Sequence, residues 1–449
     1  MPAPPPAHSS LAERFGLHRR EVRAWVLYDW ANSAFVTTIV AAVFPIYYAR
    51  VAADGLPPDV AASRYGWATT FALLVVAALA PVLGALADCA AMKKRLLFAF
   101  QSLGLLACAG MFFILRGDWL LALALFVLGN IGVSGAFTFY DSLLPHIARR
   151  DELDRVSSAG YALGYLGGGL LLAVNLLWIQ KPEWFGLADA GMATRVSFVS
   201  VAVWWGLFSI PLFRHVPEPA VRTAVTHAGL ADLAAASFRQ LGHTLRELGR
   251  FRQAFLMLVA FLVYNDGINT IIRMASLYGT QIGIAQHHLI TALLMVQFVG
   301  VPFAFLFGRV ASWIGARPAV FVALAVYAVI SVLGYFMTSA AHFYALAFLV
   351  ATVQGGSQAL SRSLFAAMIP RQKSSEFFGF FAVFEKFAGI VGPLIFAGVI
   401  EQTGSSRQAI LSVILFFVAG ALLLARVDVA EGERAARAAE RELEGDGPP

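Results

Sequence analysis

Charged residues are scarce in this chain. Asp, Glu, Lys and Arg make up 13% of the 449 residues, whereas hydrophobic residues make up 59%. Soluble domains average about 25% charged residues. The mean hydropathy is +0.72, and long polar stretches are few. This composition excludes an ordinary soluble multidomain protein and indicates a polytopic membrane protein.

Several kinds of reactive site are missing as well. The two cysteines, Cys89 and Cys108, provide no disulfide framework. The nine histidines lie in tails, loops and segment ends, so nothing predicts a metal or haem site. No GxxxxGK[ST] phosphate loop occurs, which excludes an ATP-driven pump made of this chain alone. We therefore expect no cofactor and no enzymatic activity.

Long apolar runs, in contrast, recur along the whole chain. A hydrocarbon core of ~30 Å needs about 20 residues of helix. Twelve runs approach or exceed that length, at 24–49, 66–87, 95–115, 119–144, 156–179, 195–213, 253–279, 287–308, 316–337, 342–367, 376–400 and 408–426. Lipid cannot hydrogen-bond an exposed backbone, and the runs lack the alternation of barrel strands. The sequence therefore predicts an all-α polytopic protein with twelve transmembrane helices.

The runs divide the chain into two halves with short flanking parts. The longest polar connection holds apolar residues at helical spacing between 230 and 248, which predicts an interfacial amphipathic helix, either a passive linker or a regulatory element. The predicted parts are an N-terminal tail (1–23), a six-helix bundle (24–213), a linker (214–252), a second six-helix bundle (253–426) and a C-terminal tail (427–449).

Basic residues are distributed unevenly between the two sides. We count 25 Lys and Arg on the side of the N-terminus and 6 on the opposite side, with Arg273 and Lys386 inside segments. This bias predicts that both termini are cytoplasmic. It also accounts for the net charge of +6 without a nucleic-acid partner, and anionic inner-leaflet lipid is the expected partner. The N-terminal stretch MPAPPPAHSS lacks the features of a cleavable signal peptide.

The two halves contain similar polar patterns. Asp29 and Asn32 in the first segment repeat as Asp266 and Asn269 in the seventh, an Asp-x-x-Asn pattern. Segments two and eight both end in Gly and a basic turn, and segments four and ten both end in Pro and a charged loop. Duplicated halves around a midplane site are typical of secondary transporters.

Charged residues within the segments mark a predicted solute pathway. Each charge at the centre of a spanning helix costs about 2.5 to 3.5 kcal/mol, so these residues should face protein or a water-filled cavity. The candidates are Asp29, Asp266, Arg273, Glu385 and Lys386. Asp266, Asn269 and Arg273 share one face of segment seven. We hypothesise that Arg273 binds the carboxylate of an amino acid and that Asp266 or Asn269 binds its ammonium. The alternative is that Asp266 and Arg273 pair with other helices.

The other pathway candidates have two interpretations each. Asp29 is either a proton site in a low-dielectric pocket or a helix-start carboxylate favoured by the helix dipole. Glu385 and Lys386 either take part in transport or form an interhelical ion pair. Further polar groups of the pathway are Tyr140, Gln354 and Gln358, whereas Arg362 is interpreted as an anchor at the inner end of segment ten.

Glycines recur in segment five. Gly160, Gly164 and Gly168 are spaced by four residues. This spacing places them on one helix face and predicts close approach of a neighbouring helix.

The stretch GALADCAAMKKR (84–95) is similar to the loop between helices two and three of the major facilitator superfamily. That loop has the form Gly-x-x-x-Asp-Arg-x-Gly-x-Arg-Arg, and this chain has Cys89 and Ala91 in place of the Arg and the Gly that follow the Asp. We assign the motif to Gly84, Asp88, Lys94 and Arg95. The resemblance implies a fold of two six-helix bundles and a cytoplasmic gate at these residues.

Four further stretches resemble one branch of that superfamily, which includes the fungal vacuolar amino-acid effluxers linked to autophagy and their bacterial relatives. They are YDWANSAF (28–35), SSAGYALGYLGGG (157–169), YNDGINTI (264–271) and the two parts GGSQALSRSLFAAMIP and EFFGFFAVFEKFAGIVGPLIF (355–396). The resemblance implies export of a small solute, with amino acids as candidates. We expect alternating access, with energy from a proton gradient or from the solute's own gradient. The alternatives are an amphipathic or lipid-like solute and a membrane receptor or scaffold that does not transport.

Overall fold

The computed structural model describes residues 17–219, 250–281, 284, 286–389 and 391–445. The described residues are largely helical and contain no β-strand. The predicted amphipathic helix at 230–248 lies outside them. The side chains of Arg273 and Lys386 lie outside the described part as well.

Six helices form the N-terminal half. Helix α1 spans Arg20–Ala52 and changes to a π-helical geometry at Phe35–Ala42 and Tyr48–Ala52. The others are α2 (Pro58–Ala90), α3 (Lys93–Gly110), α4 (Trp119–Ile147), α5 (Leu153–Gln180) and α6 (Ala190–His215).

The C-terminal half begins with four continuous helices and continues with shorter ones. The continuous helices are α7 (Arg252–Gln281), α8 (Gln286–Ile314), α9 (Ala316–Tyr335) and α10 (Ala340–Ala367). The shorter ones are α11 (Ser374–Phe387), α12 (Val391–Thr403), α13 (Ser406–Ser412), α14 (Ile414–Ala425) and α15 (Val429–Gly445).

The apolar surface and the helix lengths confirm the all-α membrane prediction. Eleven helices of the described part are long and apolar enough to cross a bilayer. Large side chains stand exposed on their outer faces, among them Trp67 (74%) and Leu106 (71%), as lipid-facing residues do. The protein is an integral membrane protein, and its helices are consistent with twelve crossings.

The eleventh predicted segment, 376–400, is not one continuous helix. It breaks between α11 and α12, where Gly389 has a φ of +103°. Residues other than glycine rarely adopt this left-handed conformation. Pro393 then lies in the first turn of α12, where its missing N–H costs nothing. The run is apolar throughout, so hydropathy alone did not reveal the break.

The predicted C-terminal tail contains a helix. Residues Val429–Gly445 form α15, with Ala436 and Ala439 buried. Arg150, in the loop after α4, donates to both carboxylate oxygens of Glu440 at 3.1 Å. Glu440 also accepts a hydrogen bond from the backbone N–H of Arg371, in the C-terminal half. Helix α15 therefore connects the two bundles.

We call the end of the molecule where α1 begins and α14 ends the terminal end, and the opposite end the far end. Glycines allow the two bundles to touch closely near the terminal end. A Cβ on Gly84 of α2 would lie 2.3 Å from the backbone oxygen of Ser375, and one on Gly379 would lie 2.7 Å from that of Ala80. Neither distance is possible for a real Cβ, so both positions require glycine.

Candidate functional site

A cavity of about 520 Å³ lies between the two bundles. Its lining reaches Met337 and Phe343 near the far end and Asp29 and Asp141 toward the terminal end. The described hydrogen bonds between the bundles lie at the terminal-end side of the cavity, for example that from Ser157 to the Ala359 oxygen at 2.7 Å. The cavity is therefore closed by polar contacts on that side.

The guanidinium of Arg362 lies at the centre of this closure. Its Nη1 is 2.9 Å from Asp141 Oδ1, and its two Nη atoms are each 3.4 Å from Asp29 Oδ2. The side chain also donates to the hydroxyl and the backbone oxygen of Ser157. Arg362 is 2% exposed, so one buried cation from α10 compensates two carboxylates of the N-terminal bundle.

Aromatic rings surround the same guanidinium. Its Cζ lies 4.9 Å from the ring centroid of Trp25 and 4.6 Å from that of Tyr161, within the range of cation–π attraction. Tyr140 stacks on Trp25 at 4.4 Å and donates its hydroxyl to Asp29 Oδ2 at 3.0 Å. The Trp25 indole N–H is bound to the Tyr140 backbone oxygen, which fixes the ring.

The glycine face of α5 makes this packing possible. A Cβ on Gly160 would lie 2.5 Å from Asp29 Oδ2 and 3.0 Å from Arg362 Nη2, and one on Gly164 would lie 2.6 Å from Ser33 Oγ. The predicted close approach of a helix to this face is confirmed, and the neighbour is α1.

Asp266 occupies a different place from the one predicted. Its Oδ1 accepts the N–H groups of Gly389 and Gly392 at 2.8 and 3.0 Å, and its Oδ2 accepts that of Val391 at 3.1 Å. It is 3% exposed. A carboxylate at a helix start satisfies otherwise unpaired N–H groups and favours the helix dipole. Its contacts support the structural alternative, in which Asp266 stabilises another helix, over ammonium binding.

Of the residues assigned to the gate motif, Gly84 and Asp88 contact the other bundle, but the basic residue that pairs with Asp88 is Lys93, which was not assigned to it. Asp88 pairs with Lys93 at 2.8 Å and accepts the N–H groups of Ser375 and Glu376. Lys94 donates to the Phe213 and Val216 oxygens within the N-terminal half, and Arg95 is exposed. Counting from Gly84, the motif's basic pair falls on Lys93 and Lys94. The assignment to Lys94 and Arg95 was therefore wrong by one residue.

Five of the predicted pathway residues line the cavity: Asp29, Asn269, Gln354, Gln358 and Glu385. Gln358 donates to Asn265 at 2.6 Å, and Asn269 to the Ala388 oxygen at 3.3 Å. Asn32 and Tyr140 are fully buried behind the lining. Because the side chains of Arg273 and Lys386 are outside the described part, carboxylate binding by Arg273 stays a prediction.

Sequence reasoning did not assign Arg362 or Asp141 to the predicted pathway. Arg362 was interpreted as an inner anchor, but it is buried between the bundles. A usable signal existed, since Gln354, Gln358 and Arg362 recur every four residues and so share one helix face.

Comparisons with known proteins agree with this geometry. Residues 61–437 match the model of the family described as "Vacuole effluxer Atg22 like". The chain is similar to the uncharacterized MFS-type transporter YxiO of Bacillus subtilis, with 36% identity over 91% of this chain and 95% of the relative. It is also similar to autophagy-related protein 22 of Eremothecium gossypii, with 24% identity over 76% of this chain and 72% of the relative.

Solved structures share the fold at low sequence identity. The proton:xylose symporter XylE, bound to 6-bromo-6-deoxy-D-glucose, matches with a TM-score of 0.68 and 15% identity, over 97% of this chain and 99% of that one. The transporter FucP in the outward conformation matches with a TM-score of 0.69 and 13% identity, over 92% and 99% of the two chains. This chain is thus an MFS-type transporter and belongs to the Atg22-like effluxer family.

Proposed function

We propose that this protein moves a small solute, with amino acids as the first candidates, across the membrane by alternating access and in the direction of export. The observation that carries the proposal is the cavity of about 520 Å³ between the bundles, which combines carboxylates and amides with apolar walls. Sites for small ligands typically measure roughly 300–1,000 Å³ and have this mixture. The volume accommodates a single amino acid.

The polar closure supports an alternating mechanism. The salt bridges of Arg362 with Asp29 and Asp141, and the hydrogen bond from the Glu376 N–H to Asp88, join the bundles at the terminal end, and such contacts can open as the bundles rock. With the termini in the cytoplasm, as the basic residues indicate, this state would be closed toward the cytoplasm. Asp29 lines the cavity and contacts Arg362, so it is our candidate for binding a coupling proton.

An amphipathic solute is the second candidate. Apolar side chains, including Val40, Leu289, Ile330 and Phe343, line the part of the cavity nearer the far end. A solute with a hydrocarbon portion would bury it there.

Counterflow in liposomes tests the function. Purified protein is reconstituted with one class of unlabelled amino acid inside and labelled amino acid outside. We expect accumulation for the wild type and for Asp54→Asn, whose carboxylate lies exposed at the far end and binds Arg116, but a loss of at least tenfold for Gln358→Ala. No accumulation of any amino acid by folded protein would contradict the proposal and direct the screen to amphipathic solutes.

A further inference from the structure

The N-terminal bundle alone contains a complete site for a cation. It contributes two carboxylates, Asp29 and Asp141, and the rings of Trp25, Tyr140 and Tyr161. In this structure the site is filled by Arg362, which belongs to the C-terminal bundle. Among the described residues, the basic group that contacts either carboxylate is that of Arg362.

Separation of the bundles would leave this site without its cation. Removing one partner of a buried ion pair is strongly destabilising, since it leaves an uncompensated charge in a low dielectric. If the terminal end opens and Arg362 withdraws with α10, Asp29 and Asp141 lose their counter-charge, and the site becomes available to protons or to another cation.

The rings favour a solute cation over protons alone. A proton on a carboxylate needs no aromatic partner. Ammonium groups and the planar guanidinium group, in contrast, bind to the faces of aromatic rings. The Arg362 Cζ atom lies 4.6 to 5.8 Å from three ring centroids. Asp29, Asp141 and Tyr161 also line the cavity, so a solute in the cavity can reach them.

A third acidic residue lies in the same cavity. Glu385 of the facing helix α11 lines the cavity together with Asp29 and Asp141. A cationic solute in the cavity therefore meets carboxyl groups from both bundles.

We propose that this site of the N-terminal bundle binds the ammonium or guanidinium group of the transported solute, and that Arg362 is an internal competitor which displaces it when the terminal end closes. The inference rests on the proposed alternating access. It assigns a substrate class, solutes with a cationic group, and it explains release toward the far end, since the chain's own guanidinium then occupies the site.

Binding of a small cation to a variant without the competitor tests the site directly. Methylguanidinium is added to purified Arg362→Ala protein and its melting temperature is measured, with neutral N-methylurea as the matched probe. A ligand that binds only the folded state raises the melting temperature, and we expect a rise of at least about 2 °C with methylguanidinium alone.

Control variants separate this site from general effects of the cation. Arg317→Ala removes an arginine that donates to the Leu424 and Ala425 oxygens within the C-terminal half, and it should show no rise. Adding Asp141→Asn to Arg362→Ala should abolish the rise. Equal effects of methylguanidinium and N-methylurea, or no effect of either on folded Arg362→Ala protein, would overturn the proposal. Arg362→Gln, which retains hydrogen-bonding capacity without charge, replaces Arg362→Ala if that variant does not fold.

A transport measurement on the wild type tests the substrate class. Labelled agmatine, a guanidinium amine without a carboxylate, should exchange in counterflow and compete with amino acids. Exchange of leucine without competition by agmatine would overturn the assigned class and leave the carrier function intact. No exchange of any solute would contradict the proposed function instead, and the melting measurements would still decide whether the cation site exists.

Discussion

At the scale of single residues, Arg362 has the largest expected effect on stability. Its guanidinium compensates Asp29 and Asp141 from the other bundle. A buried ion pair adds little net stability compared with apolar packing, but breaking one from a single side leaves a charge unpaired. Removing the arginine alone should therefore destabilise the fold much more than removing the arginine together with both carboxylates.

Arg362→Ala should destabilise the protein by roughly 3 to 5 kcal/mol, because both acids lose their counter-charge. Adding Asp29→Asn and Asp141→Asn should recover most of this loss, since no buried charge then remains. Melting temperatures in detergent measure the effect, with Arg317→Ala as a control outside the site. A triple variant that is no more stable than Arg362→Ala would contradict this account of the ion pairs.

Asp266 should act as a structural cap of α12. Asp266→Ala leaves three backbone N–H groups without the acceptor they have now, and we expect a loss of about 2 kcal/mol. Asp266→Asn retains one acceptor oxygen and should cost about half as much. Asn269→Ala, one turn further along α7, removes one weak hydrogen bond of 3.3 Å. Equal melting temperatures for Asp266→Ala and Asn269→Ala would exclude the capping role.

Sequence reasoning identified buried charges at this scale but not their partners. Asp29 was identified because a charge inside a membrane-spanning helix is energetically costly. Its partner Arg362, however, lies 333 residues away in the chain. Pairing at such separation depends on how the bundles pack, and no local pattern contains that information. Lys93 was missed for another reason: the basic pair of the gate motif was read one position too far along.

At the scale of helices, the break between α11 and α12 is explained by local chemistry. The left-handed Gly389 ends one helix, Pro393 suits the start of the next, and Asp266 binds the N–H groups between them. Continuous apolarity predicted one helix because hydropathy does not register backbone conformation. The Gly and Pro in AGIVGP were the available signal.

Helix α15 should stabilise the closed terminal end. Glu440→Gln weakens a charge-assisted contact to Arg150, which lies in the other half of the chain, and such partly exposed pairs contribute about 1 kcal/mol. The open population should rise about fivefold. Maleimide labelling of Ser375→Cys, whose position is buried between the bundles, measures that rise from the terminal-end side.

Glu433→Gln provides the matched control for this prediction. Glu433 pairs with Arg437 on the same helix, so its loss should leave the labelling rate of Ser375→Cys unchanged. Equal labelling rates in Glu440→Gln and in the unaltered background would show that α15 does not stabilise closure.

At the scale of the whole molecule, the twelve apolar runs and the repeated Asp-x-x-Asn were sufficient to predict two related bundles. Composition determines this part of the architecture, because an apolar chain in a bilayer must satisfy its own backbone hydrogen bonds and therefore forms helices. The position of the cavity and the choice of the closed end depend instead on contacts such as Gly84 with Ser375 and Arg362 with Asp141. These contacts belong to one conformational state. The same sequence forms every state of the protein, so it does not indicate which contacts are made in this one.

The central claim is that this structure is one of two states exchanged during transport. Distances between spin labels, measured by double electron–electron resonance, test it most directly. One pair of labels is placed at the terminal end (Arg149 and Arg309) and one at the far end (Asp54 and Thr338), all at exposed positions. The labels are attached through cysteines in a background where Cys89 and Cys108 are replaced by alanine. On addition of a solute that passes the counterflow assay, we predict that the terminal-end distance lengthens while the far-end distance shortens. Distances that stay fixed at both ends, or that change in the same direction, would contradict alternating access.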